Sequence, residues 1–316
     1  MKSTITIGLI GTQFMGKAHS NAYRQAGRFF NLPCQVRMKT ICGRNQDSLE
    51  AARAQYGWEG TSLTWREVIA DPEIDVVDIS TPGDLHAPIA IAAAQAGKAV
   101  WCEKPMANTL AEAEAMASAV REAGVHSGLF HCYRMVPAVA LARQLIEAGE
   151  LGEIRQVRMV YLQDWLADAK APFSWRVDRK VAGSGAHGDL NSHLIDLARF
   201  LVGELESVCG LAQTFTPERM DSAGTNQPVT VDDATLFLAR FACGATGSFE
   251  ASRVALGRKN ANRFEINGSL GSLAFDLELF NELHFYSSKD AAGGSGFRRI
   301  LLGESYHPYA AYWPVG

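Results

Sequence analysis

The stretch GLIGTQFMGKAHSNA, residues 8–22, decides how this chain is read. STITIGLIG is a compact apolar strand, after which MGKAHSNAYRQAG changes to helical spacing. The turn between them has the order of a dinucleotide loop, strand, glycine, glycine, helix. Gly11 and Gly16 are present, and Gln13 stands where the pattern G-x-G-x-x-G has its middle glycine. The first glycine of such a loop permits a tight bend, and the third lets the helix pack on the strand. The middle one clears room for pyrophosphate at the helix N-terminus. Two of the three jobs are filled, and Gln13 fits only if its side chain turns away from the phosphates or hydrogen-bonds to them. Taken alone, the pattern divides evenly between a nucleotide site and an ordinary strand-to-helix turn.

Working outward, the first 131 residues alternate short apolar runs with helical ones. VRMKTICGR, IDVVDIST, AVWCEKP and VHSGLFH read as strands. DSLEAARAQYG, HAPIAIAAAQAG and LAEAEAMASAVREAG read as helices. This rhythm predicts a doubly wound parallel sheet with right-handed crossovers. Gly27, Gly57, Gly97 and Gly124 follow the helices as candidate C-caps. After residue 150 the rhythm changes. EIRQVRMVYLQDW is a long strand and HGDLNSHLIDLARFLVGE one amphipathic helix, and consecutive strand-like runs follow from ATLFLARFACGATGSFEAS to ELHFYSS. Strands without intervening helices predict an α+β domain with a largely antiparallel open sheet. The expected division is 1–131 for the dinucleotide-binding domain and 132–316 for a substrate-binding and oligomerisation domain, with GGSG at 293–296 a loop tip.

The bulk numbers exclude several function classes. The 316 residues carry a net charge of −4 with a pI near 6.1, so there is no basic footprint for nucleic acid or a membrane surface. No apolar run reaches the length of a membrane span, and no secretory signal is visible. Six cysteines are scattered without C-x-x-C spacing, several in apolar strand-like runs where cysteine is usually a small buried hydrophobe. No structural metal or disulfide framework is expected, and the chain reads as cytoplasmic.

Three further stretches carry chemistry. The second strand ends in ICGRN, where enzymes favouring NAD often place an acid for the ribose 2′-hydroxyl. Gly43 and Arg44 stand there instead, and an arginine can pair with the 2′-phosphate of NADP, a slight lean to NADP over NAD. The plainer reading, a solvated surface arginine, has equal weight. Lys104 in CEKPMANT falls at the carboxyl end of a parallel strand, where open α/β sheets bind ligands. A lysine there, partly desolvated near a cationic ring, would have its pKa pulled down and suit proton transfer, although a surface loop lysine is the commoner outcome. In GSGAHGDLNSHLIDLARF, Asp189 and His193 are four apart and would share one helix face, with Leu190, Leu194 and Leu197 as the apolar stripe. His193 could take an alcohol proton and Asp189 orient it or the substrate; a helix-start aspartate and an ordinary histidine is the blander alternative. His187 and His126 carry only the bland reading. Asp189, His193 and His187 could supply metal ligands, but nothing else shows metal-site spacing, and no G-x-S-x-G elbow is present.

Together these residues resemble the glucose–fructose oxidoreductase/inositol dehydrogenase/MocA (Gfo/Idh/MocA) family. GTQFMG, STPGDLHAPIAIAAAQAGKAVWCEKPM, FHCYRMVPAV and GDLNSHLIDLARFLVGE run in family order across most of the chain. The resemblance implies a Rossmann domain, a second domain whose open sheet commonly mediates homo-oligomers, and hydride transfer between NAD or NADP and a hydroxyl carbon of a sugar, inositol or related polyol. Within the family the detail is closest to dehydrogenases of pyranose sugars, of the levoglucosan or inositol type. It further implies that Lys104, Asp189 and His193 are catalytic, His193 as acid/base. Gly11, Gln13, Phe14, Met15, Gly16, Gly43, Arg44, Thr81, Pro82, His86, Glu103 and Lys104 would then lie at the cofactor. Tyr133 and Arg176 join Lys104, Asp189 and His193 at the substrate, with Trp175 beside them. Two other readings stay open: tightly held NAD serving hydrolysis or epimerisation, and a non-catalytic cofactor-binding sensor. Departures from the family pattern are Gln13, Gly83 and His131 where asparagine is common, and Asn191 where glycine is common. The chain stops at HPYAAYWPVG where relatives continue, so a missing C-terminal part is expected.

Overall fold

The computed structural model describes residues 2–309, so residues 310–316 of the final HPYAAYWPVG segment lie outside the described residues. The backbone divides into two compact units, Met1–Phe130 and His131–Gly316.

In the first unit the strands are β1 (Thr4–Ile10), β2 (Gln35–Cys42), β3 (Gly60–Ser62), β4 (Val76–Ile79), β5 (Ala99–Glu103) and β6 (Ser127–Phe130). Between them run α1 (Phe14–Phe29), α2 (Gln46–Tyr56), α3 (Trp65–Ala70), α4 (His86–Gln95) and α5 (Leu110–Ala123). The sheet order is β3-β2-β1-β4-β5-β6, and every pairing is parallel. Strand order reverses between β1 and β4, the switch point where open α/β sheets leave a crevice beyond the strand ends. Val76–Ile79 is buried on both faces, which is why it reads as an apolar run interrupted only by Asp78. Helix α5 begins with a capping box, Thr109 and Glu112 each satisfying the other's backbone amide, and Gly124 closes it at φ 64°. Gly57 does the same for α2, and Gly97 follows α4 at positive φ. Gly27 does not: it lies inside α1, which runs on to Phe29 and ends at an extended Phe30. Strand β3 and helix α3 were not expected from the sequence.

The second unit contains α6 (Pro137–Glu147), β7 (Ile154–Leu162), the single turn α7 (Arg179–Ala182) and α8 (Ser192–Leu201). Its remaining strands are β8 (Leu205–Gln213), β9 (Glu218–Met220), β10 (Asn226–Pro228), β11 (Ala234–Phe241), β12 (Thr246–Ser252), β13 (Ala261–Gly268), β14 (Gly271–Asp276), β15 (Glu282–Ser287) and β16 (Arg298–Leu301). The eight-stranded sheet runs β16-β15-β14-β13-β7-β12-β11-β8 and is antiparallel except for the β7–β12 pair. The GGSG tip is exposed and begins in a short 3-10 turn.

One face of this sheet is covered. Val157, Met159 and Tyr161 of β7, Phe249 of β12 and Phe264 and Ile266 of β13 pack with Leu190, Leu194, Leu197 and Leu201 and with Val139 and Ala142 of α6. The other face is open: along β11 exposure alternates residue by residue, with Leu238 65 % exposed, and Val208 and Leu211 of β8 stand beside it. The expectation of buried cysteines holds for two of six. Cys42 and Cys102 are buried, Cys34 is half-buried, and Cys132, Cys209 and Cys243 are exposed, all as free thiols.

Phe249 stacks on Phe237 with ring centroids 4.3 Å apart and is 2 % exposed. Phe249→Ala is expected to lower the stability of residues 131–309 by about 3–5 kcal/mol, read as a shifted urea midpoint.

Candidate functional sites

The nucleotide turn is built by close backbone approach. Gly11 has φ 121°, and a Cβ there would lie 2.4 Å from the Ser80 carbonyl oxygen. A Cβ on Gly16 would lie 2.1 Å from the Gly11 carbonyl oxygen. Only glycine serves at both positions. Gln13 caps α1 without a side-chain hydrogen bond and is exposed, as is Phe14, so the departure from the glycine pattern leaves the cradle open. Met15 is half-buried behind them. The unbonded first-turn amides of this 16-residue helix then face outward as an anion site. On the neighbouring strand end, Thr81 Oγ1 is buried with no hydrogen-bond partner among the described residues. An orphaned hydroxyl and a Cβ-free cradle fit a bound dinucleotide.

His86 is buried at the start of α4. Its two ring nitrogens face the carbonyls of Thr81 and Pro105, both at 2.9 Å, so it braces the Thr81–Pro82 turn against the turn that follows Lys104. Gly43 approaches Thr12, with a Cβ there 3.0 Å from the methyl, and Arg44 is exposed in the bend after β2.

Sequence reading missed the charged centre of this unit. His19, on α1, lies between carboxylates at the ends of β4 and β5. Its Nδ1–H donates to Asp78 Oδ2 at 2.9 Å and its Nε2–H to Glu103 Oε1 at 3.1 Å. The Tyr23 hydroxyl donates to Asp78 at 2.5 Å, and Ser80 Oγ is 3.1 Å from His19 Nδ1. Burial alone would lower the imidazole pKa, but the hydrogen bonds and charges of Asp78 and Glu103 override it and push it up to about 9. The other Glu103 oxygen accepts the Lys104 amide at 3.2 Å, so the cluster reaches the backbone of the lysine. The signal was present in G-K-A-H, which puts a histidine one turn inside a nucleotide helix, and in an aspartate within the apolar run VVDIS.

In the second unit the helix carrying Asp189 and His193 does not begin as an α-helix. Residues His187–Asn191 form a π turn, and only from Ser192 is the spacing that of α8. The expectation that the two residues share an ordinary α-helical face is corrected accordingly, because a wider turn intervenes. Such single π turns are frequent at functional sites. His193 is buried, its ring centroid 4.6 Å from Tyr133 and 6.0 Å from Tyr161. The Tyr133 and Tyr161 hydroxyls are 2.6 Å apart, and Tyr161 donates to Asn260 Oδ1 at 2.7 Å. Gln163 donates to the same oxygen at 3.0 Å. Burial raises both phenols above the ordinary tyrosine range, so they act as neutral hydroxyls. Arg134, next to Tyr133, forms a bidentate pair with the buried Asp196, so its guanidinium is engaged within the fold. Arg176 stacks on Trp175 at 4.4 Å, both exposed. The first unit thus gathers Gly11, Gly16, Thr81, Glu103 and Lys104 around the strand ends, and the second gathers Tyr133, Asp189 and His193. No group of three or more His, Cys, Asp and Glu side chains is placed to hold a metal among the described residues. Nor does any described helix have the length and apolarity to cross a membrane.

Comparison with known proteins agrees with both halves. The model for the oxidoreductase family with an NAD-binding Rossmann fold matches residues 5–131, and that for the GFO/IDH/MocA C-terminal domain matches residues 139–274. The levoglucosan dehydrogenase of Pseudarthrobacter phenanthrenivorans is 45 % identical over 98 % of this chain and 83 % of its own. The crystal structure of an oxidoreductase domain protein from Kribbella flavida superposes with a TM-score of 0.96 at 52 % identity, covering 100 % of this chain and 85 % of the other. A levoglucosan dehydrogenase complex with NADH and levoglucosan gives 0.96 at 46 %, covering 99 % and 84 %. The lean towards NADP drawn from Arg44 finds no support in these relatives.

His19 supplies a stability test. Its folded pKa of about 9 exceeds the ordinary 6.5, so its contribution is complete below about pH 6.5 and lost as pH rises through about 9. Urea midpoints should therefore fall across that window by the equivalent of about 3 kcal/mol in the wild type, and His19→Gln should show no such step.

Proposed function

This chain belongs to the Gfo/Idh/MocA oxidoreductase family, and we propose that it oxidises a hydroxyl carbon of a pyranose sugar or related polyol with NAD. The observation that carries this reading is the surroundings of His193. The imidazole is buried against two neutral phenols whose hydroxyls run in a hydrogen-bonded line to Asn260. Such a row of neutral donors and acceptors is suited to hydroxyl groups. The levoglucosan complex of a relative at 46 % identity supports a sugar substrate, and its NADH supports NAD over NADP.

In this mechanism Gly11, Gly16 and the first turn of α1 hold the pyrophosphate, and Thr81 and Pro82 border the cofactor. Bound NAD supplies the hydride acceptor. Lys104 donates a hydrogen bond to the reacting hydroxyl oxygen, which lowers the pKa of that hydroxyl. His193 accepts its proton as the C–O bond becomes a carbonyl. Asp189 orients the substrate beside His193, with Tyr133 and Arg176 holding its other hydroxyls. Glu103 serves by fixing the Lys104 backbone rather than by touching substrate. The open face of the second sheet, with Val208, Leu211, Leu236 and Leu238 exposed, supports a homo-oligomer built on that face. Free thiols and a net charge of −4 suit a cytoplasmic enzyme.

His193→Asn and Lys104→Met should each lower kcat for the best sugar by roughly 10²–10⁴-fold, with NADH still bound by the His193 variant. Steady-state nicotinamide absorbance over a panel of sugars and inositols checks this. Unchanged turnover in either variant removes that residue from the mechanism.

A further inference from the structure

Residues 163–178 leave β7 as an irregular segment that carries Trp175 and Arg176. Two buried arginines hold it. Arg219 donates to the carbonyls of Leu166 at 2.9 Å, Asp168 at 2.8 Å and Ala171 at 3.1 Å. Arg253, 1 % exposed, reaches in two directions. Its Nη1 donates to the Arg176 carbonyl at 3.2 Å and its Nη2 to the Asp232 carbonyl at 3.0 Å. Its guanidinium lies 5.4 Å from the Trp165 ring centroid, and its own carbonyl accepts the Leu166 amide at 3.0 Å.

Asp232 is the second half of the connection. Its carboxylate accepts the Gly185 amide at 2.9 Å, the His187 amide at 2.7 Å and the Thr235 hydroxyl at 2.8 Å. Its carbonyl also accepts the Ala186 amide at 3.0 Å. A Cβ on Gly185 would lie 1.7 Å from that carbonyl, so the two segments meet at backbone contact. The π turn bearing Asp189 starts from this anchored Gly185–His187 bend. Arg253 therefore links the segment carrying Arg176 to the turn carrying Asp189 through a single planar group.

Stability gives little reason to retain such a group. Burying a guanidinium is costly, and packed apolar replacements of buried charges are often neutral or stabilising. Burial indeed lowers the Arg253 pKa, opposed by the charges of Asp189, Asp232 and Asp233. Its Nε has no hydrogen-bond partner among the described residues, so the site is not tuned for complete satisfaction either. What the position does supply is geometry.

We propose that Arg253 is a positioning residue for the substrate, holding the Trp175–Arg176 segment and Asp189 in one fixed arrangement. The proposal rests on the sugar or polyol reading above and adds to it the group that shapes the pocket.

The test compares wild type, Arg253→Lys and Arg253→Met. Lysine keeps the charge but not the planar fork that reaches two carbonyls at once. In Arg253→Lys, KM for the sugar should rise about tenfold or more with kcat within about threefold, and NADH affinity should not change. Amide hydrogen exchange should quicken within 164–178 and 183–191 and not in the strands of the first unit. Arg253→Met should show the same pattern more strongly. An unchanged KM in a folded Arg253→Lys overturns the proposal, and so does a uniform loss in which KM, kcat and melting temperature move together. If wild type oxidises no sugar or polyol, the functional reading fails instead. The exchange pattern then still decides whether Arg253 ties the two segments.

Discussion

Two carboxylates, Asp78 and Glu103, stand inside the first unit at the ends of adjacent strands, and the charge on His19 is what allows them to be there. Without it, two buried anions would face each other across an apolar sheet, a cost of several kcal/mol for each unpaired ion. With it, α1 is held at one rotation relative to β4 and β5 by hydrogen bonds of 2.9 and 3.1 Å. That rotation places Gly16 against Gly11 and turns the exposed Gln13 and Phe14 outward. It also reaches the Lys104 amide through Glu103. The nucleotide cradle and the backbone of the proposed catalytic lysine are thus parts of one electrostatic unit.

The second unit solves a related problem by different means. Here backbone groups rather than charges must be satisfied around an irregular segment and a π turn. Asp232, Arg219 and Arg253 do this with side chains that hydrogen-bond to the backbone of the segments carrying Arg176 and Asp189. The proposed site for a polyhydroxylated substrate would need this, because each hydroxyl is weakly discriminated and the sum depends on position.

The parallel sheet was legible because its strands β1, β4 and β5 are short, mostly buried apolar runs separated by helix-length segments. β3 was not, since the three residues GTS have no period, and β8 was hidden because LESVCGLAQ keeps a row of residues exposed. Gly27 misled because a glycine near a helix end suggests a cap, yet nothing crowds a Cβ there and α1 continues to Phe29. The π turn leaves no mark in side-chain spacing. Lys104, Asp189 and His193 could be named from their motifs. Their supports could not: His19 pairs with residues 59 and 84 positions away, and a buried arginine such as Arg253 is written like a surface one.

The central claim is that a turn with Gln13 in place of glycine holds NAD. A fluorescence titration of the purified protein with NADH and NADPH in parallel tests it most directly. Saturable binding of NADH, tighter than that of NADPH, is the predicted result. Binding of neither, once co-purified cofactor has been removed, would contradict the account.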